Sequence, residues 1–170
     1  MSETEDRMEI ENLQVVFAHA ADRGDYALLR SLYTDDAVDD HGGYSGPVDG
    51  YIEWVKATHK DYDMLSHICG KPLIRLNGDV AESEMKGHVF MRFRGPPAQN
   101  AFAVTRAFDK YVRTQNGWRF SSRKLCGDWM GPSFQAQEFD GLKGTMDLSD
   151  PVYTELPELI AAVRAEFLSK

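Results

Sequence analysis

Apolar positions along this chain recur first at helical spacing and later at strand spacing. Over 9–23, Ile10, Leu13, Phe17, Ala20 and Ala21 fall on one face, which predicts a helix. Val15, His19 and Asp22 form a second stripe on its opposite side. Residues 1–7 precede this pattern and are expected to fray. Gly24 stops the helix, and Asp25 caps a short second one over 26–33, whose apolar residues are Leu28, Leu29 and Leu32. A turn at Thr34-Asp35-Asp36, a short strand over 37–40 and a loop at His41-Gly42-Gly43 follow. Pro47 sits at the first turn of a third helix, 48–62, where Val48, Ile52, Val55, His59 and Tyr62 share a face.

From Ser66 onward the spacing is that of strands. Residues 67–70 and 73–76 read as one strand ending at Asn77-Gly78-Asp79. A long strand over 80–94 follows, with Met85, Val89, Met91 and Phe93 in one parity, and Gly95-Pro96-Pro97 ends it because proline cannot continue a ladder. The longest pattern is a hairpin over 101–130. It turns at Thr114-Gln115-Asn116-Gly117, where Asn-Gly tolerates the positive φ of a tight turn. Phe102, Val104 and Phe108 share one parity on its first strand, and Trp118 and Phe120 share one on the second, so these sets are expected to face the core. Arg106 interrupts the first set and, sharing its parity, is the rival to Arg123 as the cation that enters the pocket. Arg123 lies beyond the second with opposite parity, so it enters the cavity only if those aromatics face the outer helix layer or a bulge intervenes. A cation aimed into a concave sheet needs a carboxylate or an anionic ligand to meet it. Residues 131–151 form a long loop, expected to act as a lid or a subunit contact, and 154–168 a last amphipathic helix. The order predicts an α+β fold in which helices cover one face of a curved antiparallel sheet and leave a cone-shaped pocket.

Composition narrows the function. The length of 170 residues suits one domain with a real core. A net charge of −8 argues against nucleic-acid or anionic-membrane surfaces, both of which need a basic face. No apolar run is long enough to span a bilayer. The start MSETEDRMEIE lacks the basic and apolar segments of a signal peptide, so the chain reads as cytoplasmic. Cys69 and Cys126 are expected to be free thiols. With no GxGxxG, no P-loop and no metal-ligand spacing, no cofactor and no metal are expected. His41 follows Asp39-Asp40 without such spacing, and His19, His59 and His88 read as structural or exposed.

Three segments then carry a resemblance: 17–26 (FAHAADRGDY), Tyr44-Ser45-Gly46-Pro47 leading into the third helix, and 116–123 (NGWRFSSR). Their order and spacing over 10–129 resemble the SnoaL-like branch of the nuclear-transport-factor-2-like superfamily. The resemblance implies a cone-shaped α+β barrel. Its nearest patterns within the family are those of hexachlorocyclohexane dehydrochlorinases and, next, scytalone dehydratases. It implies a cofactor-independent lyase in which Asp22 orients His67, His67 takes a proton, and Arg123 helps the leaving group depart. The second histidine of the scytalone dehydratase pattern falls near Val104 and is missing. The family also includes retro-aldol carbon–carbon lyases of lignin-derived diaryl compounds, and non-catalytic binders. Arg106, Tyr33, Tyr44, Trp54, Val104 and Trp129 are the expected substrate contacts, because aromatics with a polar tip suit an aromatic or cyclic hydrophobic ligand. A homo-oligomer, trimer or dimer, is implied by the resemblance alone.

Overall fold

The computed structural model describes residues 2–132 and 144–168. Helix α1 spans Glu3–Asp22 and starts earlier than expected. Ser2 accepts from the backbone of Glu5 while Glu5 accepts from the backbone of Ser2, a reciprocal capping box that satisfies two orphan N–H groups. The first turn is also tied down from outside. Asp6 is buried, accepts two hydrogen bonds from Arg113 and one from the Trp118 indole, and is held at a pKa of about 2, chiefly by Arg113. The expected fraying of 1–7 therefore does not occur from Ser2 onward.

Arg23 and Gly24 end α1. Gly24 has φ +60°, the left-handed conformation that turns the chain without a Cβ penalty. Asp25 caps α2, Tyr26–Ser31, through its carboxylate on the Leu28 N–H. Strand β1, Tyr33–Asp40, is longer than expected, and β2 is Ser45–Pro47. Helix α3, Val48–Thr58, gives way to a 3₁₀ turn at His59–Asp61 and then to β3, Tyr62–Cys69. Strand β4, Leu73–Asn77, is separate from β3 rather than continuous with it. The long strands are β5, Val80–Phe93; β6, Gln99–Thr114; and β7, Gly117–Pro132. Of the expected loop and lid over 131–151, β7 takes the first two residues and 133–143 lie outside the described residues. The last helix divides into α4, Val152–Glu155, and α5, Pro157–Leu168.

The strands form one curved sheet in the order β2-β1-β7-β6-β5-β3, with β4 also on β5. All neighbours are antiparallel except β1 and β7. No ladder closes the cone among the described residues: β2 and β3 are its two edges, and α1 to α3 cover the concave face. The core lies there, built from Ile10, Leu13, Phe17, Leu28, Leu29, Leu32, Tyr51, Ile52, Trp118 and Phe120 among others.

The hairpin corrects one expectation. Ala103, Thr105, Ala107, Asp109 and Tyr111 are buried on the concave side, so Phe102, Val104 and Phe108 belong to the convex face. Small residues on the inside let the sheet bend and leave room beneath the helices, and the bulky apolar set lies outside. On β7, Tyr111 pairs with Phe120 but Lys110 with Ser122, which leaves Ser121 as a bulge. The bulge resets the alternation, so Trp118, Phe120 and Arg123 all point inward.

Phe120 is fully buried, 5.2 Å from the rings of both Tyr33 and Tyr111. Phe120→Ala is expected to lower the unfolding free energy by about 3–5 kcal/mol in denaturant titrations, and a loss below about 1 kcal/mol would contradict this packing.

Candidate active site

The cone encloses a cavity of about 450 Å³. Its walls are largely apolar. Phe17 and Ala21 come from α1, Tyr51, Trp54 and Val55 from α3, and Leu65, Val89, Met91, Ala103 and Leu125 from the sheet. Polar groups enter at His41, Thr58, His59, Tyr62, His67 and Thr105, with Asp128 toward the rim. Few, placed polar groups in an apolar concavity are the usual make-up of a small-molecule site.

Asp22 ends α1, where a carboxylate is unfavourable to the helix dipole. The structure shows what holds it there. β3 is an edge strand, and the His67 N–H on its open side donates to both Asp22 oxygens at 3.1 and 3.0 Å. The same carboxylate takes Nδ1 of the His67 ring at 2.6 Å. Asp22 is 5% exposed, so its pairing with His67 is shielded from bulk water. With Nδ1 bound to the carboxylate, Nε2 remains as the proton-accepting atom, and an imidazolium formed there is stabilised in place. Phe17 packs edge-on against the His67 ring at 6.4 Å.

A second pair of the same kind went unrecognised in the sequence. Asp39, wholly buried on β1, lies 2.7 Å from Nδ1 of His41 and accepts from the Tyr33 hydroxyl at 2.7 Å. Burial, reinforced by the Asp39 charge, drives the Tyr33 hydroxyl far above its ordinary pKa and keeps it a donor. His41 stacks on Tyr51 at 4.9 Å and 30°, and Tyr51 on Trp54 at 6.1 Å and 29°. The available signal was parity: Asp39 and His41 are two apart, so an extended chain puts both on one face.

His59 also lines the cavity rather than lying apart from it. Burial, with the neighbouring His67 charge, lowers its pKa to about 4, and Nδ1 sits 3.3 Å from the Tyr26 hydroxyl. It is therefore a neutral ring at pH 7.

Arg123 reaches the concave side but not the main wall. It borders a narrow recess of about 40 Å³ beneath the cavity, together with His41, His67, Phe17 and Thr105. Its Nε and Nη2 donate to Asp109 at 2.8 and 2.9 Å, and Nη2 also to Gln14 at 2.5 Å. Burial opposes its charge, but Asp109 outweighs that and holds the guanidinium well above its ordinary pKa. Phe17 and Phe120 cover its faces at 3.9 and 4.5 Å.

Among the expected contacts, Trp54 and Trp129 line the cavity, Trp129 at the rim and 53% exposed. The others do not. Tyr33 is packed beneath, holding Asp39. Tyr44 lies behind Trp54, with its hydroxyl on the Pro47 carbonyl. Val104 and Arg106 are on the convex face by parity, and Arg106 is spent on Asp128 and Glu84.

The chain belongs to the SnoaL-like domain family, whose family model matches residues 2–124. It is 30% identical over 126 residues to an uncharacterized protein of Mycobacterium tuberculosis, an alignment covering 72% of this chain and 86% of the relative. Among solved structures it is similar to a hexachlorocyclohexane dehydrochlorinase of Novosphingobium barchaimii. That match has a TM-score of 0.72 and 15% identity, covering 82% of this chain and 97% of the other. It is also similar to a scytalone dehydratase-like protein of Novosphingobium aromaticivorans, with a TM-score of 0.69 and 15% identity, covering 79% and 91%. At such identities these two likenesses establish the fold alone. No helix among the described residues is long and apolar enough to cross a membrane.

In the unfolded chain the His59 ring protonates near 6.5, and in the folded protein only near 4. Acidification through that window favours the unfolded state, and the loss stops growing below it. Unfolding free energies measured at pH 7 and pH 5 should therefore differ more in the wild type than in His59→Gln; equal differences would rule out this assignment.

Proposed function

We propose that this protein is a cofactor-independent lyase acting on a small hydrophobic, aromatic or cyclic compound, with His67 as base and Asp22 as its orienting carboxylate. The observation that supports this most is the 2.6 Å bond from Asp22 to His67 Nδ1 at the wall of an apolar cavity. His67 Nε2 takes a proton from a substrate carbon. The C–H pair forms the new double bond, and the leaving group departs with its own electron pair. Arg123 lends positive potential from the recess below, although Asp109 balances most of its charge. The stacked Tyr51 and Trp54 provide a flat wall suited to a ring. A non-catalytic binding module is the rival reading. Binding alone gives no reason to bury a carboxylate against a histidine, which favours the enzyme. The protein acts as a homo-oligomer in the cytoplasm. Exposed Phe108 on the convex sheet face, with exposed Ile68 and Leu73, supports the assembly.

His67→Ala leaves the residue 67 backbone N–H in place for Asp22, so the variant is expected to fold. Against a panel of halogenated cyclohexanes and hydroxylated ring compounds, its turnover is expected to fall by about 10²–10⁴-fold, with a smaller fall for Asp22→Asn. A fully active, folded His67→Ala would refute the assignment.

A further inference from the structure

Asp39 presents a problem that the His67 base does not solve. A wholly buried carboxylate costs several kcal/mol unless it is paired and hydrogen-bonded, and among the described residues no arginine or lysine is bonded to Asp39. Arg123, its register neighbour on β7, is bound to Asp109 and Gln14. The polar groups that serve Asp39 are the Tyr33 hydroxyl and the ring of His41. His41 in turn lines the same cavity as His67 and borders the same recess.

The two pairs also come from opposite ends of the sheet. His67 is on β3, at one edge, and His41 follows β1, with β7, β6 and β5 between them. Curvature of the sheet, not closeness in sequence, brings both to one space. Each ring has Nδ1 on a buried aspartate, at 2.6 Å for His67 and 2.7 Å for His41, which leaves Nε2 as the free nitrogen of each. His59, the third histidine of the cavity, is not a substitute, since its lowered pKa keeps it neutral and a neutral imidazole is a far weaker acid than an imidazolium.

We propose that His41, positioned by Asp39 and Tyr33, is a second catalytic residue that donates a proton to a substrate oxygen while His67 removes one from the adjacent carbon. This rests on the base assignment above and narrows the substrate to a ring compound bearing a carbonyl. A halide leaving group needs no proton, whereas an oxygen that gains negative charge does. His67 Nε2 takes the proton from the carbon next to the carbonyl. That C–H pair becomes the new carbon–carbon double bond, the carbonyl π pair moves to oxygen, and the oxygen takes the Nε2 proton of the His41 imidazolium. The enol forms with His67 protonated and His41 neutral. Where a hydroxyl stands on the next carbon, the enol returns its proton to His41, the carbonyl re-forms, and the enol double-bond pair moves to join the α carbon to the carbon bearing the hydroxyl. The hydroxyl leaves with its electron pair and takes the proton from His67 as water.

The test uses 1-indanone, a bicyclic ketone with no leaving group, and follows exchange of its C2 protons in D2O by NMR. Wild-type protein is expected to accelerate exchange. His67→Gln and His41→Gln should each lose about 100-fold or more of that acceleration. The affinity of His41→Gln for 1-indanone, read from tryptophan fluorescence, should stay within about threefold of the wild type, because the lost interaction belongs to the transition state. Tyr33→Phe, which removes one hydroxyl from Asp39 and nothing from the cavity wall, should give an intermediate loss at unchanged affinity. It decides the matter should His41→Gln not fold. Exchange at the wild-type rate in folded His41→Gln, or in Tyr33→Phe, overturns the role of His41 and leaves His67 as base. Wild-type exchange no faster than His67→Gln overturns the base assignment itself, and this proposal with it.

Discussion

The buried guanidinium of Arg123 is the constraint on which the rest of the molecule depends. It is 2% exposed, flat between Phe17 and Phe120, and bonded to Asp109 on β6 and Gln14 on α1. A lone charge in such a place would cost several kcal/mol, and removing one partner of a pair like this typically costs about 3–5 kcal/mol. Its bonds therefore set the height of α1 above the sheet. Gln14 continues the network to Tyr111, and Tyr111 to Ser83 on β5. One helix and three adjacent strands are held in register by a single polar layer. Above that layer the helix cannot descend, and the space it leaves is the cavity.

The cavity has a physical origin on the sheet side as well. The concave row of β6 is Ala103, Thr105 and Ala107, and Gly87 and Val89 face it from β5. A strongly curved sheet crowds its inner side chains, so small residues are accommodated there and large ones displaced outward. Phe90, Phe102 and Phe108 accordingly lie on the convex side. The helices cannot fill the hollow because Asp22, at the end of α1, is bound to the open edge of β3. The carboxylate bonded to the His67 ring thus also fastens the helix layer to the sheet edge.

Two buried carboxylates, Asp22 and Asp39, face one cavity through two histidines. Neither improves a hydrophobic core. Departures from simple core-building of this kind concentrate at functional sites. The aromatic ladder from His41 through Tyr51 to Trp54 gives the opposite wall a flat, apolar surface with the polar ring at its inner end.

Much of this was legible in the order of residues. Helical spacing located α1 and α3, and Asn-Gly located the central hairpin, because local backbone preference and burial act over a few residues. Asp22 and His67 were named by resemblance, and the structure brings them within hydrogen-bond distance. The bulge needed to turn Arg123 inward is at Ser121. Other features depended on partners distant in the chain. The first turn of α1 was expected to fray because its ties, Arg113 and Trp118, lie more than a hundred residues away. Phe102, Val104 and Phe108 were placed inside because alternation defines two faces without saying which is concave. Arg106 shared their parity and went with them to the outside. His41 was passed over because Asp39 looks like a surface acid until β7 and Tyr33 bury it. The sequence by itself determined the main helices, the long strands and their order, since these follow from short-range sterics and side-chain period. Only the tertiary structure decided which parity faces the cavity and which acids are buried, because curvature and burial are set by packing between segments that the chain order keeps apart.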